Sequence, residues 1–190
     1  MIRDLIIKTR SYRRFDSSVK ISEKLIMNWI ELARFSASAR NSQPLKYAIV
    51  TNPETCESIF PNLGWAGYLT NWDGPAEGER PVAYVAVLND KSIAQNYYCD
   101  DGIAMQSIML GAVEDGFGGC MIGSVNKKNV SKILELPNHL ELLWIIALGK
   151  PAEEVVLETA QKDIKYWRDE NDVHHVPKRS MDELVFKTIP

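Results

Sequence analysis

Seven apolar residues in unbroken succession, Leu142-Leu143-Trp144-Ile145-Ile146-Ala147-Leu148, constrain the fold of this chain more than any other stretch. Such a run, closed by Gly149-Lys150-Pro151, reads as a strand buried on both faces. The second strong element is Tyr97 to Glu114, where Ile103, Ala104, Ser107, Leu110, Gly111 and Glu114 recur at helical spacing. Small residues at 104, 107 and 111 let another helix approach closely. Met1–Thr9 reads as a short amphipathic helix, and Ser22 as the N-cap of a helix running to Phe35. Lys46–Val50 reads as a strand ended by Asn52-Pro53. Ser58–Tyr68 suggests a broken helix, Pro81–Leu88 and Cys120–Gly123 suggest strands, and Asn126–Leu136 a helix stopped by Pro137. Residues 152–190 show few apolar positions in any period, which suggests that they lie across another surface. Helices between scattered strands indicate a mixed α/β or α+β domain.

With 190 residues and 45% hydrophobic content, the chain suits one substantial core, a single domain over 1–190. A net charge of −3 and a pI near 5.7 argue against a nucleic-acid surface. No apolar run approaches the roughly 20 residues needed to cross a bilayer, so no membrane role is expected. Met1-Ile2-Arg3-Asp4 lacks the apolar region of a secretory signal. Cys56, Cys99 and Cys120 are an odd set without metal-ligand spacing, and His139, His174 and His175 add none. Free thiols in the cytoplasm and no metal site are the expectation. Cys120, inside the apolar Cys-Met-Ile stretch, reads as a buried small hydrophobe.

Three separated basic or polar clusters stand out in this acidic chain. In Arg10-Ser11-Tyr12-Arg13-Arg14-Phe15-Asp16, guanidinium groups flank a hydroxyl, a set suited to a phosphate monoester. The same residues also read as a basic helix end compensating the macrodipole. Ser36–Pro44 is a polar loop between two rigid elements, the setting in which binding groups collect. Within it, Ser38, Arg40, Asn41 and Gln43 offer donors and acceptors that match a flavin pyrimidine edge or ribityl hydroxyls. They equally suit a plain helix-to-strand turn. Lys178-Arg179 fits either an anion site or a solvated tail. Gly116–Gly123 contains G-x-G-G in helix-to-strand order, the reverse of the dinucleotide fingerprint. It reads as helix C-caps or as a turn that delivers Met121, Ile122 and Gly123 to the edge of a planar ligand. Asp100 and Asp101 point about 100° apart on a helix, so they cannot share a proton and read as surface or capping groups. Trp65, Tyr68 and Trp72 fit a roof over a planar ligand or an ordinary core.

Taken in order, these pieces resemble the motifs of the FMN-dependent nitroreductase family. Arg10–Phe15 is similar to its R-S-x-R-K/R-F opening, and Ala37–Leu45 to its P-S-x-x-N-x-Q-P-W loop. Asp101–Ser107 with Gly116–Gly123 matches its central helix and G-L-G-x-C-W-x-G turn. Leu148–Glu153 and Lys178-Arg179 complete the order, and the resemblance runs from Leu5 to Val185. Ala37, Leu45 and Thr9 depart from it, standing where proline, tryptophan and arginine are usual. The family implies an α+β fold: a central mixed, mainly antiparallel β-sheet surrounded by helices, with a C-terminal extension (152–190) wrapping the partner subunit. It also implies a homodimer with FMN at the subunit interface and a variable lid over residues 64–80. By this resemblance Arg10, Ser11, Arg13, Lys178 and Arg179 hold the phosphate. Ser38, Asn41 and Gln43 reach the flavin from the partner, and Met121, Ile122 and Gly123 lie beside the isoalloxazine. Arg40 or a lysine of the partner is a candidate for charge near the reduced flavin, and no acid-base side chain is nominated. The implied activity is ping-pong reduction of nitroaromatic, quinone or similar acceptors by NAD(P)H. A flavin storage or sensor protein, or another flavin reaction such as reductive dehalogenation, is the alternative.

Overall fold

A computed structural model describes all 190 residues. The elements follow as α1 (Ile2–Lys8), β1 (Phe15–Asp16), α2 (Glu23–Phe35), β2 (Leu45–Val50), α3 (Pro53–Ile59), β3 (Ala83–Asp90) and α4 (Asp100–Glu114). Then come β4 (Gly118–Ile122), α5 (Lys127–Ile133), β5 (Leu140–Pro151), β6 (Val155–Thr159), β7 (Trp167–Arg168), β8 (His174–Lys178) and α6 (Met181–Leu184). The apolar run lies in the middle of β5. That strand takes β3 on one edge and β4, followed by β1, on the other; β2 completes the sheet beyond β3. Every pairing in this sheet is antiparallel, and the parallel contribution comes from the Ser11–Gly119 bridge and the β6–β8 pair. The α+β architecture therefore holds.

Side chains alternate across the two central strands with a period of two. Ala83, Val85, Val87, Ile146 and Leu148 meet Ile26 and Trp29 of α2 and Ala104, Ile108 and Ala112 of α4. Tyr84, Ala86, Leu88, Ile145 and Ala147 meet Cys56 and Ile59 of α3 and Val130 of α5. Both faces are thus covered, as an uninterrupted apolar strand requires. The helix pair α2/α4 packs closely because Gly111 leaves room for it: a Cβ there would sit 2.7 Å from Leu32 Cδ1 and 3.0 Å from Trp29 Cδ1. The Trp29 indole N–H is satisfied by Asp115 at 2.7 Å, and Ser22 caps α2 by accepting from the Leu25 N–H.

Several boundaries differ from the sequence expectation for local reasons. β5 continues through Gly149-Lys150-Pro151 because β1 pairs there and the Phe15 ring fills the space over Gly149. α4 begins at Asp100 rather than Tyr97, since Tyr98 takes a left-handed φ of 51° that no α-helix accommodates. Asn52-Pro53 starts a helix as well as ending a strand. Asn52 accepts the Thr55 N–H at 2.9 Å and Pro53 occupies the first turn. The broken helix expected over 58–68 is instead the end of α3, a 3₁₀ turn at Phe60–Asn62 and irregular chain.

The C-terminal region departs most. Residues 155–178 build a three-stranded sheet, with β8 between β6 and β7, folded back on their own chain. Glu153 fastens it: one carboxylate oxygen accepts the backbone N–H groups of Arg13 and Arg14, and the other pairs with Arg168 at 2.8 Å. His174 is sealed beneath, 1% exposed. The residues after Lys178 are largely exposed, Phe186 to 98%.

Two expectations follow from this packing. A Cβ at Gly119 would lie 2.2 Å from the Ala147 carbonyl oxygen, so Gly119→Ala must part β4 from β5. It should cost ~2 kcal/mol or more, seen as a lowered urea midpoint. Burial, reinforced by the Arg13 charge and to a lesser degree by Arg168 and His175 against Glu153, pushes the His174 imidazole down to about 4. The unfolded chain, with an ordinary histidine, binds more protons as pH falls from about 6.5 toward about 4, so stability is lost in that window. Wild type should lose about 2 kcal/mol more than His174→Gln between pH 7 and pH 5; parallel losses in the two proteins would contradict this.

Candidate functional site

The segment after α1 is pinned residue by residue. The Thr9 hydroxyl donates to the Leu5 carbonyl at 2.7 Å, Arg10 Nη2 to the Ile6 carbonyl at 2.7 Å, and the Tyr12 hydroxyl to the Lys8 carbonyl at 3.0 Å. The Tyr12 N–H donates to the Gly119 carbonyl at 2.9 Å, which lays the segment along β4. Arg10, Ser11 and Arg13 thereby reach one cavity of about 350 Å³, together with Gln106 and Met109 of α4, Met121 of β4, and Tyr166, His174, Val176 and Lys178 from the C-terminal region. No carboxylate lines it. The three cations Arg10, Arg13 and Lys178 lie outside ion-pair distance of any acid. Arg10 Nε is buried without a partner, and desolvation lowers the proton affinity of that guanidinium. Unpaired cations and an unsatisfied buried donor are costly unless an anion completes them.

The remaining candidates divide. Lys178 lines this cavity, whereas Arg179 lies in a separate depression with Ala160, Ile164 and Glu183. The two basic residues expected to act as a pair are thus split, as alternation along an extended chain dictates. Likewise Met121 faces the cavity while Ile122, 4% exposed, turns into the opposite core. Gly123 is exposed and abuts Trp144, where a Cβ would come within 2.4 Å of Cζ3. Cys120 is buried, and burial raises its thiol, consistent with a packing residue.

Ser38, Arg40, Asn41 and Gln43 sit elsewhere. Ser38 donates its hydroxyl to Asp100 at 2.6 Å and accepts the Gln43 N–H at 2.9 Å, while the Ala39 N–H meets the other Asp100 oxygen at 2.9 Å. Arg40, Asn41 and Gln43 all hold left-handed φ values, 56°, 54° and 49°, a strained loop of the sort found at ligand sites. Gln43 Nε2 donates to Asn41 Oδ1 at 3.1 Å. A concavity of about 170 Å³ beside the loop is lined by Ser36, Ser38, Gln43, Leu45, Tyr47 and Asp100 among others, and it shares no residue with the first. Burial, with Asp100 second, pushes the Tyr47 phenol up to about 12. Asp100 is therefore a correction to the sequence reading: it is 4% exposed and anchors the loop. Asp101 accepts the Trp144 indole N–H at 2.8 Å.

Trp65, Tyr68 and Trp72 roof neither cavity. Trp65 packs on Phe60, Tyr68 on Tyr166 with centroids 4.9 Å apart, and Trp72 lies under the Arg168 guanidinium at 4.4 Å. Sequence reasoning missed His174, Tyr166, Gln106 and Met109 as cavity walls. One signal was available: His174, Val176 and Lys178 alternate along β8 and share a face, so a cavity-facing Lys178 implied His174.

Comparison with known proteins follows this geometry. The Nitroreductase family profile matches residues 6–67 and 68–150. A Bacillus subtilis (strain 168) protein provisionally named NAD(P)H nitroreductase YdgI is 24% identical, covering 76% of this chain and 86% of its own length. The crystal structure of a nitroreductase family protein from Streptococcus pneumoniae TIGR4 superposes with a TM-score of 0.71 at 17% identity, covering 99% of this chain and 100% of that one. A nitroreductase family protein from Clostridium novyi NT gives 0.67 at 19%, covering 96% and 98%. The shared fold spans the sheet, both helical layers and the C-terminal region. With the family profile matched from Ile6 to Lys150, this chain belongs to the nitroreductase family.

Proposed function

We propose that this oxidoreductase binds FMN and uses NAD(P)H to reduce nitroaromatic, quinone or similar acceptors, as a homodimer with two flavin sites. The observation that carries the reading is the cavity of Arg10, Ser11, Arg13 and Lys178, where three cations converge with no carboxylate. A phosphate monoester supplies up to two negative charges and several acceptor oxygens, which fits the unsatisfied Arg10 Nε and the Ser11 hydroxyl. Met121 gives this cavity one polarizable apolar wall. FMN, when bound, supplies hydride exchange between NAD(P)H and an acceptor that use one face in turn, hence ping-pong kinetics. The protein binds and orients the group and excludes water. No side chain in either cavity needs to act as an acid or base.

The separation of the two sites within one chain supports the homodimer. Ser38 is held by Asp100, and Asn41 and Gln43 are held to Ser38 and to each other, in a loop that lines no part of the Arg10 cavity of its own subunit; a second copy can present them. Exposed Ile2, Ile6 and Ile7 on α1, Ile103 on α4 and Phe186 in the tail provide apolar surface for that contact. The flavin part of the reading is supported by the names of two similar structures, an NADPH:FMN oxidoreductase from Vibrio harveyi and an FMN-dependent nitroreductase from Clostridium difficile R20291.

Purified protein reconstituted with FMN should show flavin absorbance and oxidise NADH or NADPH only when a quinone or nitroaromatic is present, with parallel double-reciprocal plots. Reduced flavin that no acceptor reoxidises would favour a storage or sensor role. Arg10→Gln should weaken FMN binding by about 10- to 100-fold, the worth of a hydrogen bond to a charged group, and leave riboflavin binding unchanged. Arg10→Gln and Gln43→Ala proteins, each defective alone, should regain part of their FMN binding when mixed and allowed to exchange subunits. No recovery would place both residues in sites built from one chain.

A further inference from the structure

On the reading that the basic cavity takes the FMN phosphate, we propose that Tyr166 and His174 are positioning residues that clamp the Arg13 guanidinium and aim it at that phosphate. Arg13 is 8% exposed, and a cation so buried is ordinarily paired with an acid. Here no acid pairs with it, and Glu153, which accepts its backbone N–H, is taken up with the Arg13 and Arg14 backbone and with Arg168. The guanidinium is held by neutral groups instead. Its Nη1 lies 3.3 Å from the Ser11 carbonyl oxygen and 3.4 Å from His174 Nε2, and its Cζ stands 4.8 Å from the centroid of the Tyr166 ring.

The chemistry of this clamp is specific. Arginine has only donors, so His174 Nε2 accepts and the imidazole proton resides on Nδ1. A protonated His174 would repel Arg13; the neutral ring supports it. Nδ1 is buried without a partner, so the ring is not held there by satisfaction of its own hydrogen bonds. Tyr166 packs at a tilt of 35° on His174, ring centroids 5.2 Å apart, and is itself fixed, its ring against Tyr68 and its hydroxyl accepting the Tyr68 N–H at 3.3 Å. An aromatic face and an imidazole lone pair hold a cation in place without cancelling its charge. A carboxylate in the same position would hold Arg13 equally well and neutralise it before any phosphate arrived. The clamp thus explains why an arginine this deep has no acid beside it.

The experiment compares FMN with riboflavin, which differs by the phosphate alone. Quenching of flavin fluorescence is titrated with full-length apoprotein: wild type, Tyr166→Leu, Tyr166→Phe, His174→Leu and His174→Gln, with folding checked by circular dichroism. Tyr166→Leu and His174→Leu should each weaken FMN binding about 10-fold, from the loss of a desolvated cation–π contact or a charged hydrogen bond, and leave riboflavin within twofold. Tyr166→Phe, which keeps the ring, and His174→Gln, which keeps an acceptor, should restore most of the FMN affinity. Equal losses for both flavins, or no loss in a folded variant, would overturn the clamp while the FMN site stood. A folded wild type that binds riboflavin and FMN equally, or neither, would overturn the phosphate site itself.

Discussion

The carboxylate of Glu153 joins the two parts of the chain that make the basic cavity. Its side chain is almost completely buried, it receives two backbone N–H groups from the Arg13-Arg14 segment, and it pairs with Arg168, whose side chain is also buried. Burying a carboxylate costs several kcal/mol in lost hydration, and only such a full set of donors offsets it. Removal of any one partner leaves charge stranded in a poorly solvated position. The arrangement therefore fixes the N-terminal basic segment against the C-terminal sheet with little freedom. Arg168 is held in turn by the Trp72 ring, so the segment over 64–80 is tied to the same anchor.

That anchor accounts for the electrostatic asymmetry of the molecule. The protein carries net negative charge, yet the charged side chains lining the Arg10 cavity are all cations, Arg10, Arg13 and Lys178. Acids are near, but they are engaged elsewhere: Glu153 with Arg168, and Glu79 and Asp172 with Arg14. Local charge is set by which acids are already spoken for, not by net composition. A field focused in this way favours a small, doubly charged ligand over an extended polyanion.

Much of the frame was legible in residues. The apolar run at 142–148 demanded cover on both faces, and the sheet indeed has α2 and α4 on one side and α3 and α5 on the other. Ser22 marked the start of α2, and small residues in α4 marked its contact with α2. What escaped was long-range or conformational. Asn52-Pro53 opens a helix because the turn chemistry that ends a strand is also a good N-cap. Tyr98 shortens α4 through a backbone angle that no periodicity encodes. Asp100 read as a surface or capping acid because its partners, Ser38 and the Ala39 N–H, lie 62 and 61 residues away in sequence.

The sequence by itself determined the types of chemistry at hand: three polar or basic clusters, a two-faced strand, a tight helix pair, and a family resemblance spread along the chain. The tertiary structure alone decided which of those groups meet. Lys178 was brought to Arg10 while its neighbour Arg179 was not, because adjacent residues on an extended strand point apart. Met121 was separated from Ile122 by the same rule. The C-terminal region, too polar to form a core of its own, was tied back to the Arg13-Arg14 backbone through Glu153, which also pairs with Arg168 15 residues on, and such contacts leave no periodic trace in a sequence.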